Sequence, residues 1–185
     1  MLKSWTAVTD EELMQLNLEN LEQRFERNAD GTLISMPLTG GISGNREAKA
    51  VAYLLNWVEA HDLGEVFGSS TGFKLDNGAV RSPDAAFVAK GRLPDAWDKG
   101  DDEFLNLAPD LVIEFCSKTD DLEASKAKMQ EYAANGVQLG WLIDHLNQQA
   151  WVYQADGLIT QYPATAILSG DDVVPGFKLA LKYLL

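Results

Sequence analysis

The strongest constraint on this chain is an interleaving of two periods. Two segments carry apolar residues at helical spacing, and short strand-length apolar runs lie between and after them. In "GNREAKAVAYLLNWVEAH" (44–61), Ala50, Leu54, Trp57 and Val58 fall on one side of a helix. The second helix is "LEASKAKMQEYAANG" (122–136), with Asp120 or Asp121 as its N-cap and Gly136 ending it as a C′ glycine. The runs "PDAAFV", "LVIEFC", "VQLGWLID" and "QAWVYQ" read as strands. The order of helix, strands, strand, helix, strand and strand calls for a mixed β-sheet flanked by helices, an α/β (α+β) domain.

Local signals fill in the rest. Thr9 followed by Glu12 is a capping box, which predicts a short helix from about Asp10 to Leu16. "RFERNADGTLISM" reads as two strands around Asp30-Gly31, and short strands near 65–68 and 71–75 are followed by a hairpin turn at Asn77-Gly78. Residues 89–109 form a polar loop with the charge run "DKGDDE". "HLNQ" turns a hairpin, Asp156-Gly157 turns again into "LITQY", and the tail "FKLALKYLL" reads as a strand with Phe177, Leu179 and Leu181 on one face. With no repeat or linker, the expectation is one domain over 1–185, the N-terminal helix and hairpin forming an extension to it.

A net charge of −13 argues against a protein that coats nucleic acid nonspecifically, but an acidic metal site with a few basic neighbours is compatible with it. No run of 18 apolar residues predicts a membrane span, and "MLKSWTAVTDEEL" lacks an apolar core of signal-peptide length. The single cysteine, Cys116, excludes an internal disulfide and fits a reducing compartment, so a cytoplasmic location is expected.

Two strands with the look of core each hold an acid. In "DLVIEFC" (110–116), Leu111, Ile113 and Phe115 point one way, while Asp110, Val112, Glu114 and Cys116 point the other. In "PDAAFV", Asp84 shares a face with Ala86 and Val88. If the strands are neighbours, Asp84 and Glu114 converge. Two ionised carboxylates in a low-dielectric site repel unless a cation lies between them, and Mg²⁺ needs only one or two protein carboxylates. The plainer reading stands beside this one: Asp84 closes a turn after Pro83, and Glu114 pairs with a buried lysine or arginine.

Other candidates carry less. "TGGISGN" (39–45) precedes a helix but lacks the Gly-Lys-Ser/Thr ending of a phosphate-binding loop, so it reads as a flexible helix entry. His61, His145 and Cys116 are too few and scattered for a zinc site, and Cys116 reads as a small buried residue. Arg46, Lys49, Arg81, Lys118 and Lys126 are candidates for phosphate contact, with a solvated surface as the plainer reading. Trp57, Trp141 and Trp151 read as core; Trp97 reads as the mark of a partner surface or a lid, and Trp5 has no assignment.

"RSPDAAFV", "APDLVIEFCS", "KAKMQEYAANGVQLGWLID" and "AWVY", in this order, resemble the Uma-two family, a group of restriction-endonuclease-like PD-(D/E)XK proteins. The resemblance runs from "RFERNADGTLISM" to "VPGFKLALKYL" and includes "GNREA". It implies that Asp84 and Glu114 are metal ligands. The lysine of the third motif position is replaced here by Cys116, and Lys128 on the following helix is implied as its substitute, with Lys126 as competitor. It further implies that Glu47 on the first helix completes the site, beside the plainer reading of a solvated first-turn acid favoured by the helix dipole. The implied activity is Mg²⁺-dependent hydrolysis of DNA phosphodiester bonds, with Mn²⁺ able to substitute for Mg²⁺. The alternative is a nuclease fold kept as a binding or assembly module with the chemistry weakened or lost. Domains of this architecture often pair, which adds a homodimer to the expectations.

Overall fold

The computed structural model describes residues 8–20, 23–37, 40–95, 97–98, 100, 103–116 and 121–185. Trp5, Lys118 and Asp120, with Thr39 of the glycine-rich stretch, lie outside the described residues.

Helix α1 (Asp10–Glu19) begins at the capping box: Thr9 Oγ1 accepts from the Glu12 N–H at 3.2 Å, and the Glu12 carboxylate accepts from the Thr9 N–H at 3.0 Å. Strands β1 (Gln23–Arg27) and β2 (Leu33–Pro37) form the expected hairpin through Asp30-Gly31. Helix α2 (Gly41–Ala60) starts within "TGGISGN", so described residues of that stretch are helical rather than a flexible entry. Its Ala50, Leu54 and Val58 are fully buried, while Trp57 lies at the core's margin with its indole N–H on the Pro175 carbonyl at 3.1 Å.

Strands β3 (Gly64–Gly68), β4 (Phe73–Lys74) and β5 (Val80–Arg81) follow, with β4 and β5 joined through the Asn77-Gly78 turn. Then come β6 (Ala85–Ala89), β7 (Leu111–Cys116), helix α3 (Leu122–Ala134), β8 (Leu139–Asp144), β9 (Gln149–Gln154) and β10 (Ile159–Pro163). Asp121 caps α3 by accepting from the Glu123 N–H at 2.9 Å, and Gly136 follows it at φ 101°, a conformation open to glycine but strained for other residues. A short strand, β11 (Ile167–Ser169), not foreseen in the sequence, pairs with β12 (Lys178–Ala180), which ends in a 3₁₀ turn at Leu181–Tyr183 rather than continuing as the tail strand.

The main sheet has six strands in the order β10-β9-β8-β7-β6-β3, antiparallel except for β7 beside β8. That one parallel pair is joined by α3, because a parallel connection needs a crossover. A second sheet, β2-β1-β5-β4, gathers the N-terminal hairpin with the segment before β6. Helix α2 packs on the Leu111, Ile113 and Phe115 face of the main sheet. Helix α3 covers the opposite face, placing Met129 and Tyr132 against Val112, Cys116 and Leu142. Both faces of β7 are therefore covered, which is why all six of its residues are buried. Among the described residues, no helix is long and apolar enough to cross a membrane.

Candidate active site

The acids sit where strand alternation places them. β6 and β7 are antiparallel neighbours with Ala85 opposite Ile113, and one further step of this register puts Asp84 opposite Glu114 on the α3 side. Directly opposed residues have Cβ atoms about 5 Å apart. Asp84 Oδ2 accepts the Phe115 N–H at 2.8 Å, so the carboxyl is fastened to β7 itself.

Glu114 is 9 % exposed and its Oε1 receives two donors. The Tyr132 hydroxyl donates at 2.9 Å and the Lys128 ammonium at 2.8 Å. Both come from α3, four residues apart, so they share its sheet-facing side. The plainer sequence reading, that Glu114 pairs with a buried base, thus also describes this contact. Cys116, two residues beyond Glu114, packs with Met129, Tyr132 and Leu142 in the apolar layer beneath α3.

Lys128 has a second carboxylate. Its Nζ lies 2.9 Å from Oε1 of Glu26, a β1 residue only 2 % exposed. Glu26 also accepts the Ser82 N–H at 2.8 Å and faces Arg81 Nη1 at 3.4 Å. Arg81 is held in turn by Glu131 Oε2 at 2.6 Å and Asn28 Oδ1 at 2.8 Å. At 5 % exposure and with these partners, Arg81 is a structural cation, and its candidacy for phosphate contact is corrected accordingly. Lys126 points elsewhere, pairing with Glu123 at 2.9 Å and lying over the Trp151 ring. Glu47 is half-buried on α2 and accepts from the Ser69 hydroxyl at 3.4 Å.

The electrostatics follow from burial. Asp84 is pushed well above the usual carboxylate range, first by burial and then by the negative charges of Glu114 and Glu47. Glu114 is also raised, chiefly by burial, although Lys128 pulls the other way. Burial alone would lower Lys128, but Glu114 and Glu26 outweigh it, so the amine stays protonated. Burial and the same two carboxylates hold the Tyr132 phenol well above its ordinary value, which keeps its proton available to Glu114. Among the described residues, no lysine or arginine lies within ion-pair distance of Asp84 or Glu47.

This donor set fits a hard divalent ion of low protein-ligand demand. Asp84 is buried, its charged form is disfavoured by Glu114 and Glu47 and only partly offset by Lys128, and an oxygen on each of Asp84 and Glu114 remains beyond the contacts above. Among the described residues no three Asp, Glu, His or Cys side chains cluster as a metal site, so a cage of protein ligands is not offered. Two carboxylates with water and phosphate oxygens are the pattern of Mg²⁺.

The arrangement thus brings Asp84, Glu114 and Lys128 together, with Glu47 acting on Asp84 through its charge. The sequence did not single out Glu26 or Ser82, and it offered Arg81 only as a phosphate contact. The acid-bearing "RFER" run offered one hint, since Glu26 is a charge inside a predicted strand.

No curated relative matches the chain. It is similar in fold to a crystal structure described as a "putative nuclease belonging to DUF820" from Anabaena variabilis, with a TM-score of 0.81 and 21 % identity, covering 96 % of this chain and 99 % of that one. The family model described as "Uma2: Putative restriction endonuclease" matches residues 10–182, a span that takes in the hairpin sheet, both acid-bearing strands and α3. The chain belongs to the Uma2 family of restriction-endonuclease-like proteins.

Proposed function

We propose that the chain, acting as one restriction-endonuclease-like domain, is an endonuclease that hydrolyses DNA phosphodiester bonds with Mg²⁺, Mn²⁺ substituting for it. The observation that carries this reading is the Lys128 ammonium 2.8 Å from Glu114 Oε1, an amine delivered by α3 to the acids where β7 offers only Cys116. Asp84 and Glu114 would hold the ion, which supplies charge neutralisation for the phosphate and a more acidic bound water. Phe115 fixes Asp84 through its N–H, and Tyr132 fixes Glu114 through its hydroxyl. Lys128 has three N–H donors, and one contact to each of its two carboxylates takes two of them. A remaining donor can orient the attacking water or meet the charge that grows on the phosphate. Glu47, whose charge reaches Asp84, would hold a second ion or a water. A homodimer belongs to this reading and is measured by light scattering.

One observation favours the second reading, a binding or assembly module. Lys128 is 17 % exposed and clamped by two carboxylates, which is also the geometry of a structural staple. Plasmid cleavage under Mg²⁺ or Mn²⁺ titration separates the two. The nuclease reading expects cleavage by the wild type and loss of about 10²- to 10³-fold in Asp84→Ala and Lys128→Ala. Equal cleavage by all three proteins would assign the activity to a contaminant or another site.

A further inference from the structure

We infer that Glu26, contributed by the N-terminal hairpin sheet, is a positioning residue for this site, holding the Lys128 ammonium in place against Glu114. The inference rests on the nuclease reading only for its kinetic consequence; the geometry stands by itself.

A lysine carries its charge on a flexible four-carbon stem, and one contact to a carboxylate leaves its direction poorly defined. Here the amine meets Glu114 at 2.8 Å and Glu26 at 2.9 Å, acids supplied by two different sheets. Glu26 lies 102 residues from Lys128 in the chain and is itself immobilised. Its Oε1 accepts the Ser82 N–H at 2.8 Å, while its Oε2 faces Arg81 at 3.4 Å. Ser82 begins the short link to Asp84, so the group that anchors Glu26 is two residues from the acid opposite Glu114. Arg81 is braced by Glu131, Asn28 and the Arg27 carbonyl. Among the described residues, the polar partners of Glu26 are Lys128, Arg81 and Ser82, so its hydrogen-bonded link to Glu114 runs through the amine, while its charge also acts on Glu114 directly. The hairpin sheet is thereby part of the site rather than an appendage to it.

The test compares wild type, Glu26→Gln and Glu26→Asp in three measurements: steady-state nicking of supercoiled plasmid with Mg²⁺, thermal melting, and the Lys128 ammonium signal in ¹H–¹⁵N spectra, visible when the amine is held in an ion pair. In Glu26→Gln we expect kcat to fall roughly 10- to 100-fold with KM within about twofold, and the ammonium signal to vanish. Glu26→Asp keeps the charge and withdraws it by one methylene, and is expected to recover part of both. A wild-type kcat with an intact ammonium signal in Glu26→Gln overturns the inference, as does a kcat loss that follows unfolding while the signal persists. If Glu26→Gln does not fold, Glu26→Asp carries the test, and wild-type values for it overturn the inference. If the wild type does not cleave, the nuclease reading fails, and the ammonium signal alone decides: its loss in Glu26→Gln upholds the positioning, its persistence overturns it.

Discussion

Replacing Lys128 with methionine gives the sharpest physical test of the site. The change keeps the length of the stem and removes one buried cation shared by Glu114 and Glu26. Breaking a buried pair by deleting one partner costs about 3–5 kcal/mol, because the surviving charge is left uncompensated. Here Glu26 keeps Arg81 and the Ser82 N–H, and Glu114 keeps the Tyr132 hydroxyl. The loss should therefore fall near the lower end, about 3 kcal/mol. For a chain of this size that lowers Tm by about 6–12 °C. The sign of the pH dependence is also set. The folded state raises the affinity of Lys128 for its proton, so its contribution is fully present below the ordinary lysine value and is lost only as pH rises through the higher folded one. The deficit should hold up to about pH 9, and should shrink in acid as Glu114, raised chiefly by burial, takes up a proton. Urea unfolding followed by tryptophan fluorescence measures it. A deficit under about 1 kcal/mol would place the amine with exposed surface pairs and refute the buried clamp.

Asp84→Asn should move stability the other way. Its carboxyl is raised in the folded state, so it stabilises the fold when protonated and that contribution is lost as pH rises through the folded value. In EDTA, the asparagine variant should be more stable than wild type at about pH 8, with the advantage fading toward about pH 4; the comparison is made by urea melts at each pH. Mg²⁺ at about 100 times its Kd should stabilise the wild type by about 2.7 kcal/mol, seen as a rise in Tm, and Asp84→Asn should show little of it. Tyr132→Phe deletes one donor to a buried carboxylate and should cost about 1.5–3 kcal/mol in the same urea assay, a neutral result contradicting the hydrogen bond to Glu114. Leu54→Ala, at a fully buried α2 position, should cost about 2–5 kcal/mol.

What the chain declares locally, it declares well. The Thr9–Glu12 capping box, the Asp121 cap, Gly136 and the turns at Asp30-Gly31 and Asn77-Gly78 depend on residues within a few positions of each other, and all form as read. Period-two alternation placed Asp84 and Glu114 on one face once β6 and β7 proved to be neighbours, and helical spacing put Tyr132 beside Lys128. Tertiary structure decided the rest. That β4 and β5 leave the main sheet for the hairpin sheet depends on pairing between distant segments. That Arg81 is a buried brace instead of a surface cation depends on Glu26, Asn28 and Glu131 closing around it. The Glu26–Lys128 contact spans 102 residues, and no periodic signal reaches that far. Spacing rules report which side of an element a residue occupies; only the packing of one sheet against another selects the charge it meets there.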